Sequence, residues 1–341
     1  MRAYEIQESF GLENLNLIDR PDPDPDDLEP GQVLLRIRAV SLNFRDLMTV
    51  QGLYNPKQPL PLVPCSDAAA EVVAVGEGVD RFEPGDRVMP IFSQGWVAGE
   101  PTRERLRSTL GGPLDGTLQE HLVLDQQGLV RIPEYMSDEE AATLSCAAVT
   151  AWSALVTDAG VTAGDTVLCL GTGGVSIFAL QIAKALGARG IVTSSSDDKL
   201  QRARDLGAEH GINYTEDDEW GDTARELTGG RGVDLVVEVG GGDTMAQSLK
   251  AVRMGGQISL IGVLSGIATD LEVTRVLMNR VRIQGILVGD RDRFEAMNRA
   301  FEAEEIHPVV DRVFSFEDAV DAFEHMQAGQ HFGKIVIRLG E

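Results

Sequence analysis

The sequence predicts an α/β fold built around a doubly wound parallel sheet, and three observations support this. Residues 167–170 form an apolar run that leads through a glycine cluster into a stretch with helical periodicity. Strand-like and helix-like segments then alternate from residue 166 to residue 288, a spacing typical of parallel β–α units. Before residue 130, short segments separated by Pro-Gly turns predict a second domain rich in strands. A chain of 341 residues is long enough for both domains.

The first part of the chain is predicted to consist of short strands and turns. Pro30-Gly31 and residues 83–86 are turn signals between apolar segments. Residues 92–117 are rich in glycine, proline and charge, so we expect a long loop that is functional or forms a subunit contact. The strands are predicted at residues 33–40, 70–75, 87–91 and 120–124.

From residue 137 the pattern changes to helices and buried strands. Ser137 and Glu140 have the spacing of a capping box, which predicts the start of a helix whose periodicity covers residues 141–155. The strands that follow are predicted at residues 166–170, 190–194, 235–239, 257–261 and 283–288, with helices at 175–186, 198–206 and 244–251. The tail predicts helices at residues 293–302 and 316–327 and a strand at 334–339.

Charge and composition exclude several classes of function. With 54 Asp and Glu against 30 Lys and Arg, the chain carries a formal net charge of −24. Because no basic block offsets this charge, binding to nucleic acid is not expected. No apolar run has the length of a bilayer span, so no membrane association is expected. The cysteines Cys65, Cys146 and Cys169 are too scattered for a disulfide framework, and we expect a cytoplasmic protein.

The glycine cluster after the first buried strand predicts a dinucleotide site. Gly171 permits a tight turn, and Gly173 lets the backbone approach a pyrophosphate. The unpaired N–H groups at the start of the following helix favour the same anion. Ser176 stands where the usual motif has its third glycine. The residues expected to contact the coenzyme here are Gly171, Thr172, Gly173, Gly174 and Val175.

The end of the second strand indicates which coenzyme binds. It carries Ser194, Ser195 and Ser196, with Lys199 just beyond, and no carboxylate at the tip. Hydroxyls and an ammonium group favour a 2′-phosphate, so we expect NADPH rather than NADH. Two alternatives stay open: an aspartate at 197 or 198 could turn inward to the ribose, or Ser196 could only cap the helix.

The whole chain resembles the medium-chain dehydrogenase/reductase superfamily, and in particular its zinc-free quinone oxidoreductase-like branch. The resemblance rests on residues 39–46, 51–54, 79–88 and 144–152, on the glycine turn and on residues 332–336. It implies a GroES-like β-barrel catalytic domain formed by residues 1–130 and 291–341, and a Rossmann domain formed by residues 131–290.

The resemblance also implies that no catalytic zinc is present. Zinc-dependent members have a Cys in the first motif, then a His-Glu pair, and a Cys before the Rossmann domain. Here these positions hold Asn43, Ser66-Asp67 and Cys146. One thiol among three positions does not make a zinc site, and the five histidines show no metal-ligand spacing.

The resemblance implies two catalytic residues in place of the metal. Asn43 has an amide that can donate to the substrate oxygen or anchor the nicotinamide ribose. Tyr54 aligns with a tyrosine that serves as proton donor in related enoyl thioester reductases; the alternative is that it only lines the cleft. Arg45 and Asp46 are expected to form a salt bridge that fixes their loop; the alternative is that they orient the substrate.

Further coenzyme contacts are expected at the later strands. Thr150 resembles a position that contacts the nicotinamide carboxamide, and Lys334 is expected to close over the nicotinamide pocket. Strand ends in this fold supply coenzyme contacts. The remaining residues assigned to the coenzyme are Tyr214, Val239, Ile261 and Gly262.

The resulting hypothesis is an NADPH-dependent reductase that transfers hydride to a quinone or an α,β-unsaturated carbonyl compound. Two alternatives are a zinc-free alcohol or aldehyde oxidoreductase and a non-catalytic NADPH-binding relative. The family suggests a homodimer formed through an edge strand near residues 282–288, whose apolar run 283–288 suits an edge that must be covered.

Overall fold

The computed structural model describes residues 1–340. Its contacts divide the chain into two compact units. One comprises Met1–Val149 together with the chain from Gly289 onward, and the other comprises Thr150–Val288. Among the described residues, no helix is both long and apolar enough to cross a bilayer.

The N-terminal part of the first unit consists mainly of strands. These are β1 (Arg2–Ile6), β2 (Leu15–Asp19), β3 (Gln32–Ser41), β4 (Asp67–Val75), β5 (Arg87–Pro90), β6 (His121–Asp125) and β7 (Leu129–Arg131). Three short helices accompany them: α1 (Phe44–Val50), α2 (Arg103–Leu106) and α3 (Asp138–Ala141). The predicted long loop at residues 92–117 is mostly irregular, with α2 as its one helical turn.

The predicted helix over residues 141–155 is only partly correct. After α3, residues 144–148 and 153–158 form π-helical turns on either side of α4 (Val149–Trp152). The backbone N–H of Cys146 donates to the Asp67 carboxylate at 3.0 Å. A side chain that takes a backbone donor in this way competes with regular helix bonding. The irregularity therefore follows from a polar group distant in sequence.

The second unit is a six-stranded parallel sheet flanked by helices. Its order is β10-β9-β8-β11-β12-β13, so the chain winds outward from β8 in one direction and from β11 in the other. This is the predicted doubly wound sheet, and ligands bind at the carboxyl ends of strands where the order reverses. The strands are β8 (Thr166–Cys169), β9 (Arg189–Ser194), β10 (His210–Asn213), β11 (Val233–Glu238), β12 (Val252–Leu260) and β13 (Arg282–Gly285). The helices are α5 (Gly174–Ala185), α6 (Asp197–Leu206), α7 (Trp220–Glu226), α8 (Met245–Ala251) and α9 (Val273–Met278).

The predicted strand at residues 283–288 is shorter than expected. β13 ends at Gly285, and Val288 has a φ of 48°, a left-handed conformation that a β-branched residue rarely adopts. An extended strand cannot continue through that angle.

The C-terminal part returns to the first unit with α10 (Arg291–Glu304), β14 (Val310–Ser315), α11 (Ala319–Gln327) and β15 (Lys334–Arg338). The sheet of this unit has the order β14-β15-β3-β4-β5-β7, with β6 also paired to β3. β4 pairs along most of β3, whereas β6 pairs with residues 32–36 and β15 with residues 39–41. The β15 pairing places the start of β15 opposite the end of β3.

Candidate functional site

The glycine turn of the second unit has the geometry of a ligand cradle. Gly171 has a φ of 70°, and its N–H donates to Thr193 Oγ1 at 3.1 Å. Gly173 is the N-cap of α5. A Cβ built on either glycine would meet no atom within 4 Å, so the space in front of the turn is open. An anion in that space would face the N-terminal end of a twelve-residue helix.

Ser176 replaces the third motif glycine without loss of packing. Its side chain is buried, and its hydroxyl donates to the carbonyl oxygen of Leu170 at 2.6 Å. This bond ties the first turn of α5 to the end of β8. A hydroxyl with a backbone acceptor is therefore compatible with the close helix–strand contact that glycine usually provides.

The end of β9 carries hydroxyls and no inward carboxylate. Ser196 caps α6, since its Oγ accepts from the N–H of Lys199 at 3.4 Å, and Ser194 Oγ accepts from the N–H of Ser196 at 3.3 Å. Asp197 Oδ1 accepts from Asn213 Nδ2 at 3.0 Å, which holds that carboxylate on the β10 side. Ser196 therefore caps the helix, which was one of the alternatives considered from the sequence. Because both serine oxygens accept in these bonds, both hydroxyls can still donate to a ligand.

Tyr214 lies beside this strand end. Its N–H donates to the carbonyl oxygen of Ser194 at 3.0 Å, and its side chain is half-exposed. Lys199 is partly buried in the first turn of α6, while Ser195 is exposed. The structure thus brings together the residues that the sequence assigned to the adenosine end of the coenzyme.

A buried carboxylate organises the ends of β11 and β12. Glu238 accepts hydrogen bonds from the N–H groups of Gly240 at 2.8 Å and Gly241 at 3.0 Å, and from Thr244 Oγ1 at 2.6 Å. Ser248 Oγ also donates to it. Every hydrogen bond named here is donated to the Glu238 side chain, so its buried oxygens have partners without water.

The backbone of Glu238 joins three predicted coenzyme residues. Its carbonyl oxygen accepts from the N–H of Ile261 at 2.8 Å. A Cβ on Gly262 would lie 2.4 Å from the carbonyl oxygen of Val239, so only glycine fits there. Val239, Ile261 and Gly262 therefore form one edge at the carboxyl ends of the strands.

Thr150, which the sequence also assigned to the coenzyme, is buried and is the first residue of the second unit.

In the first unit, Lys334 lies at the centre of a buried polar network. The N–H of Leu42 donates to the carbonyl oxygen of Ile335 at 3.0 Å, which sets Lys334 beside the residues that follow β3. Its Nζ donates to the carbonyl oxygen of Leu42 and to Asn43 Oδ1, both at 2.6 Å. Its exposed fraction is 4%. Two of the three N–H donors of the ammonium are thus bonded within the unit. The nicotinamide contact expected from the sequence would use the third donor, and it stays a prediction.

Two buried carboxyls complete this network. Asp67 Oδ1 accepts from Ser66 Oγ at 2.6 Å and its Oδ2 from the N–H of Cys146 at 3.0 Å. Burial raises the pKa of Asp67, and the nearby Lys334 ammonium opposes that rise. Asp46 Oδ2 accepts from the N–H of Asn43 at 2.8 Å. Burial raises the pKa of Asp46 to about 6, against the opposing charge of Arg45.

Arg45 connects Asp46 to an aromatic pair. Arg45 Nη1 lies 3.2 Å from Asp46 Oδ1, which is the predicted salt bridge, and also donates to the carbonyl oxygen of Leu110 at 2.9 Å. The guanidinium carbon is 5.0 Å from the centre of the Tyr54 ring and 5.3 Å from that of Phe92. A cation over aromatic rings is attracted to their faces. Tyr54 is half-exposed, so one part of the side chain contacts Arg45 while another part remains accessible.

Comparison with known proteins identifies the family. Residues 29–134 match the model of the alcohol dehydrogenase GroES-like domain, and residues 174–303 match that of the zinc-binding dehydrogenase. A zinc-type alcohol dehydrogenase-like protein of Schizosaccharomyces pombe is 44% identical over 321 residues, which cover 92% of this chain and 93% of the relative. The chain belongs to the medium-chain dehydrogenase/reductase superfamily. It is an oxidoreductase of that family.

Solved structures support the same assignment. A putative alcohol dehydrogenase from Sinorhizobium meliloti 1021 superimposes with a TM-score of 0.92 at 41% identity, over 99% of this chain and 98% of that one. The predicted combination of a Rossmann domain and a GroES-like domain is confirmed. Two further neighbours differ in coenzyme. An NAD-dependent alcohol dehydrogenase has a TM-score of 0.89 at 35% identity, covering 100% of both chains. A mycobacterial protein complexed with NADPH has a TM-score of 0.82 at 27% identity, covering 99% of this chain and 100% of that one.

The catalytic zinc of other medium-chain dehydrogenases does not fit the residues of this member. Both oxygens of Asp67 already accept hydrogen bonds, and the Lys334 ammonium donates to Asn43 Oδ1. Burial raises the pKa of the Cys146 thiol well above its usual range, which disfavours the thiolate that zinc requires. A divalent cation would also lie beside the ammonium. No group of three His, Cys, Asp or Glu side chains suited to a metal occurs within residues 1–340.

Sequence reasoning missed two features of this medium-chain dehydrogenase/reductase. Glu238 follows the apolar run 235–237 and, after Val239, precedes three glycines, a pattern that could have marked it as a loop anchor. The contacts of the Arg45 guanidinium with the Tyr54 and Phe92 rings could not be found from the sequence, because Phe92 is distant along the chain.

Proposed function

We propose that the chain is an NADPH-dependent, zinc-independent reductase of quinones and α,β-unsaturated carbonyl compounds. The observation that carries this proposal is that the residues at the positions where the resemblance places the zinc ligands are already engaged, Asp67 with the N–H of Cys146 and Asn43 with the Lys334 ammonium. Hydride addition to a saturated aldehyde produces a basic, localised alkoxide that benefits from a Lewis acid. Addition to a quinone or enone produces a delocalised phenolate or enolate, for which hydrogen-bond donors suffice.

The residues of the second unit fit NADPH. When bound, this coenzyme supplies the hydride that the reaction needs. The open glycine turn accommodates a pyrophosphate, and the serine hydroxyls with Lys199 suit a 2′-phosphate. Of the two aspartates that could replace them at the ribose, Asp197 is bonded to Asn213 and Asp198 is exposed.

The residues of the first unit handle the acceptor. Asn43 donates an amide hydrogen to the oxygen on which negative charge develops. Tyr54, held against the Arg45 guanidinium, supplies the proton that completes reduction.

Replacing Lys199 with Ala tests the coenzyme assignment. A charge-assisted hydrogen bond to a phosphate contributes roughly 1.5–3 kcal/mol, so the Kd for NADPH should rise about 10- to 150-fold while that for NADH stays unchanged. Fluorescence titration of both coenzymes measures this. Lys184→Ala is the matched control, since its ammonium donates to the carbonyl oxygen of Leu206 at the far end of α5. Equal losses for NADPH and NADH would contradict the phosphate site.

A second candidate function is reduction of simple aldehydes or oxidation of alcohols, which the names of the relatives favour. The two candidate functions differ in the compound that accepts the hydride. Turnover of a saturated aldehyde in metal-free buffer, at a rate matching that of an enone, would support it.

We also propose that the chain forms a homodimer through the β13 edge of the second unit. β13 is the last strand of its sheet and pairs only with β12. The neighbouring α9 exposes Val273, Leu277 and Met278, at 66%, 73% and 72% of their surface. An uncovered strand edge beside apolar side chains is a site for pairing with a second copy.

Replacing Leu277 with Asp should convert the dimer to a monomer, because a carboxylate would be buried in the interface without a partner. Light scattering after gel filtration gives the mass directly. Leu17→Asp, which places the same charge on an exposed leucine of the other unit, should remain dimeric. A wild-type protein that runs as a monomer at tens of micromolar would refute the proposed dimer.

A further inference from the structure

The Asn43 carboxamide is held at one end by a buried lysine. Nζ of Lys334 donates to Asn43 Oδ1 at 2.6 Å, and both side chains are more than nine-tenths buried. Since an ammonium group has only donors, the oxygen of the amide must face it. The amide nitrogen must therefore point to the opposite side.

That nitrogen has no strong acceptor within the protein. Asn43 Nδ2 is buried and donates no hydrogen bond of normal length and angle to any described residue. A weak hydrogen bond from the Asn43 amide is among the causes that keep the pKa of the Asp67 carboxyl from rising further, so Nδ2 faces Asp67 at a distance or angle outside the normal range. A buried N–H₂ with no acceptor costs about 1–3 kcal/mol, which an arriving oxygen would recover.

The charges around the pair are balanced without a metal. Arg45 faces Asp46, and Lys334 lies close enough to Asp67 to oppose the effect of burial on that carboxyl. Lys334 is thus the cation in contact with Asn43. Its positive charge polarises the amide, which strengthens the donor at the nitrogen end.

We propose that Lys334 is a positioning residue that fixes the Asn43 carboxamide with its hydrogens toward the acceptor oxygen, and that its ammonium provides the charge that a metal supplies in zinc-dependent relatives. This inference rests on the proposed reductase function. Without the ammonium, the amide can turn over and present its oxygen to the developing negative charge. The effect should appear in kcat rather than in coenzyme affinity.

Lys334→Met and Lys334→Gln separate orientation from packing. Met cannot donate to Asn43 Oδ1, whereas Gln can. With NADPH and 1,4-naphthoquinone, Lys334→Met should lower kcat about 10²-fold, the loss typical of one misdirected oxyanion donor, and Lys334→Gln should recover about tenfold of it. The two variants should have the same Kd for NADPH within about threefold, because both lose the predicted nicotinamide contact of Lys334 and they differ only in the bond to Asn43.

A double-mutant cycle with Asn43→Ala shows whether Lys334 acts through Asn43. If it does, Lys334→Met should lower kcat less than about threefold once the amide is gone. Additive losses, or a large difference between Lys334→Met and Lys334→Gln in the Kd for NADPH, would overturn the proposal.

A crystal structure of Lys334→Met decides the same question if no acceptor is turned over. The proposal predicts an Asn43 amide that is rotated or disordered there, and ordered as in the wild type in Lys334→Gln. An unchanged, ordered amide in Lys334→Met would overturn it. If Lys334→Met does not fold, an amide in Lys334→Gln that no longer directs its oxygen toward residue 334 would overturn it equally. If the wild type turns over no acceptor, the proposed reductase function is refuted. The crystal structures would still show whether Lys334 orients the Asn43 amide.

Discussion

Tyr54→Phe should slow the reduction of an enone by a factor of about 10² to 10⁴, the contribution of one oriented proton donor. The phenyl ring retains the stacking on Arg45, whose guanidinium carbon is 5.0 Å from the ring centre, so only the hydroxyl is lost. Affinity for NADPH should be unchanged because Tyr54 belongs to the other unit. Steady-state kinetics with an enone, together with fluorescence titration of NADPH, measure both quantities.

Tyr135→Phe provides the matched control for this prediction. Its hydroxyl donates to the carbonyl oxygens of Phe301 and Ile306, away from the network around Asn43. Removing it should lower stability slightly and leave kcat within about twofold. Wild-type turnover in Tyr54→Phe would restrict Tyr54 to packing against Arg45.

Glu238→Ala should lower the free energy of unfolding by about 3–5 kcal/mol and abolish coenzyme binding. The substitution leaves the N–H groups of Gly240 and Gly241 and the hydroxyl of Ser248 without their acceptor. Thr244 Oγ1 loses one acceptor and keeps the carbonyl oxygen of Gly241 at 3.3 Å. Each buried polar group that loses its partner costs about 1–3 kcal/mol. Since Glu238 shapes the loop after β11, the edge formed by residues 239, 261 and 262 should lose its geometry.

Urea unfolding followed by circular dichroism and NADPH titration test this prediction. Glu238→Gln keeps one acceptor oxygen and should show a smaller loss than Glu238→Ala. Glu226→Ala changes an exposed carboxylate on α7 of the same unit and should shift stability by less than about 0.5 kcal/mol. Full NADPH binding by Glu238→Ala would show that the loop does not need its anchor.

Much of the second unit could be predicted from the sequence, because parallel strands are buried on both faces and therefore stand out as apolar runs. β8, β9 and β11 lie within a residue or two of their predicted bounds. β10 was not predicted, since His210 and Asn213 make it half polar, and its position at the sheet edge leaves it only partly buried.

The first unit was predicted less completely for the same reason. β1 and β2 pair with each other, and neither has a continuous apolar pattern. β2 is largely exposed, whereas β1 is buried but contains Arg2 and Glu5. The predicted helix at residues 141–155 was wrong in detail because the Asp67 carboxylate takes the N–H of Cys146. Periodicity reports the faces of single elements and carries no information about a polar partner 79 residues away.

The network around Lys334 shows the same limit at the candidate site. Asn43 and Lys334 were each chosen from motifs, 291 residues apart, for different roles. The ladder between β3 and β15 brings them into contact. Only the fold reveals that the two side chains form one hydrogen-bonded unit.

Zinc-independent reduction is tested most directly by measuring NADPH-dependent turnover of 1,4-naphthoquinone and an enone by protein dialysed against a chelator, with the zinc content measured on the same sample. We expect turnover equal to that of untreated protein, and zinc far below one atom per chain. Stoichiometric zinc whose removal abolishes turnover would contradict it, and so would tight NADPH binding with no reduction of either acceptor.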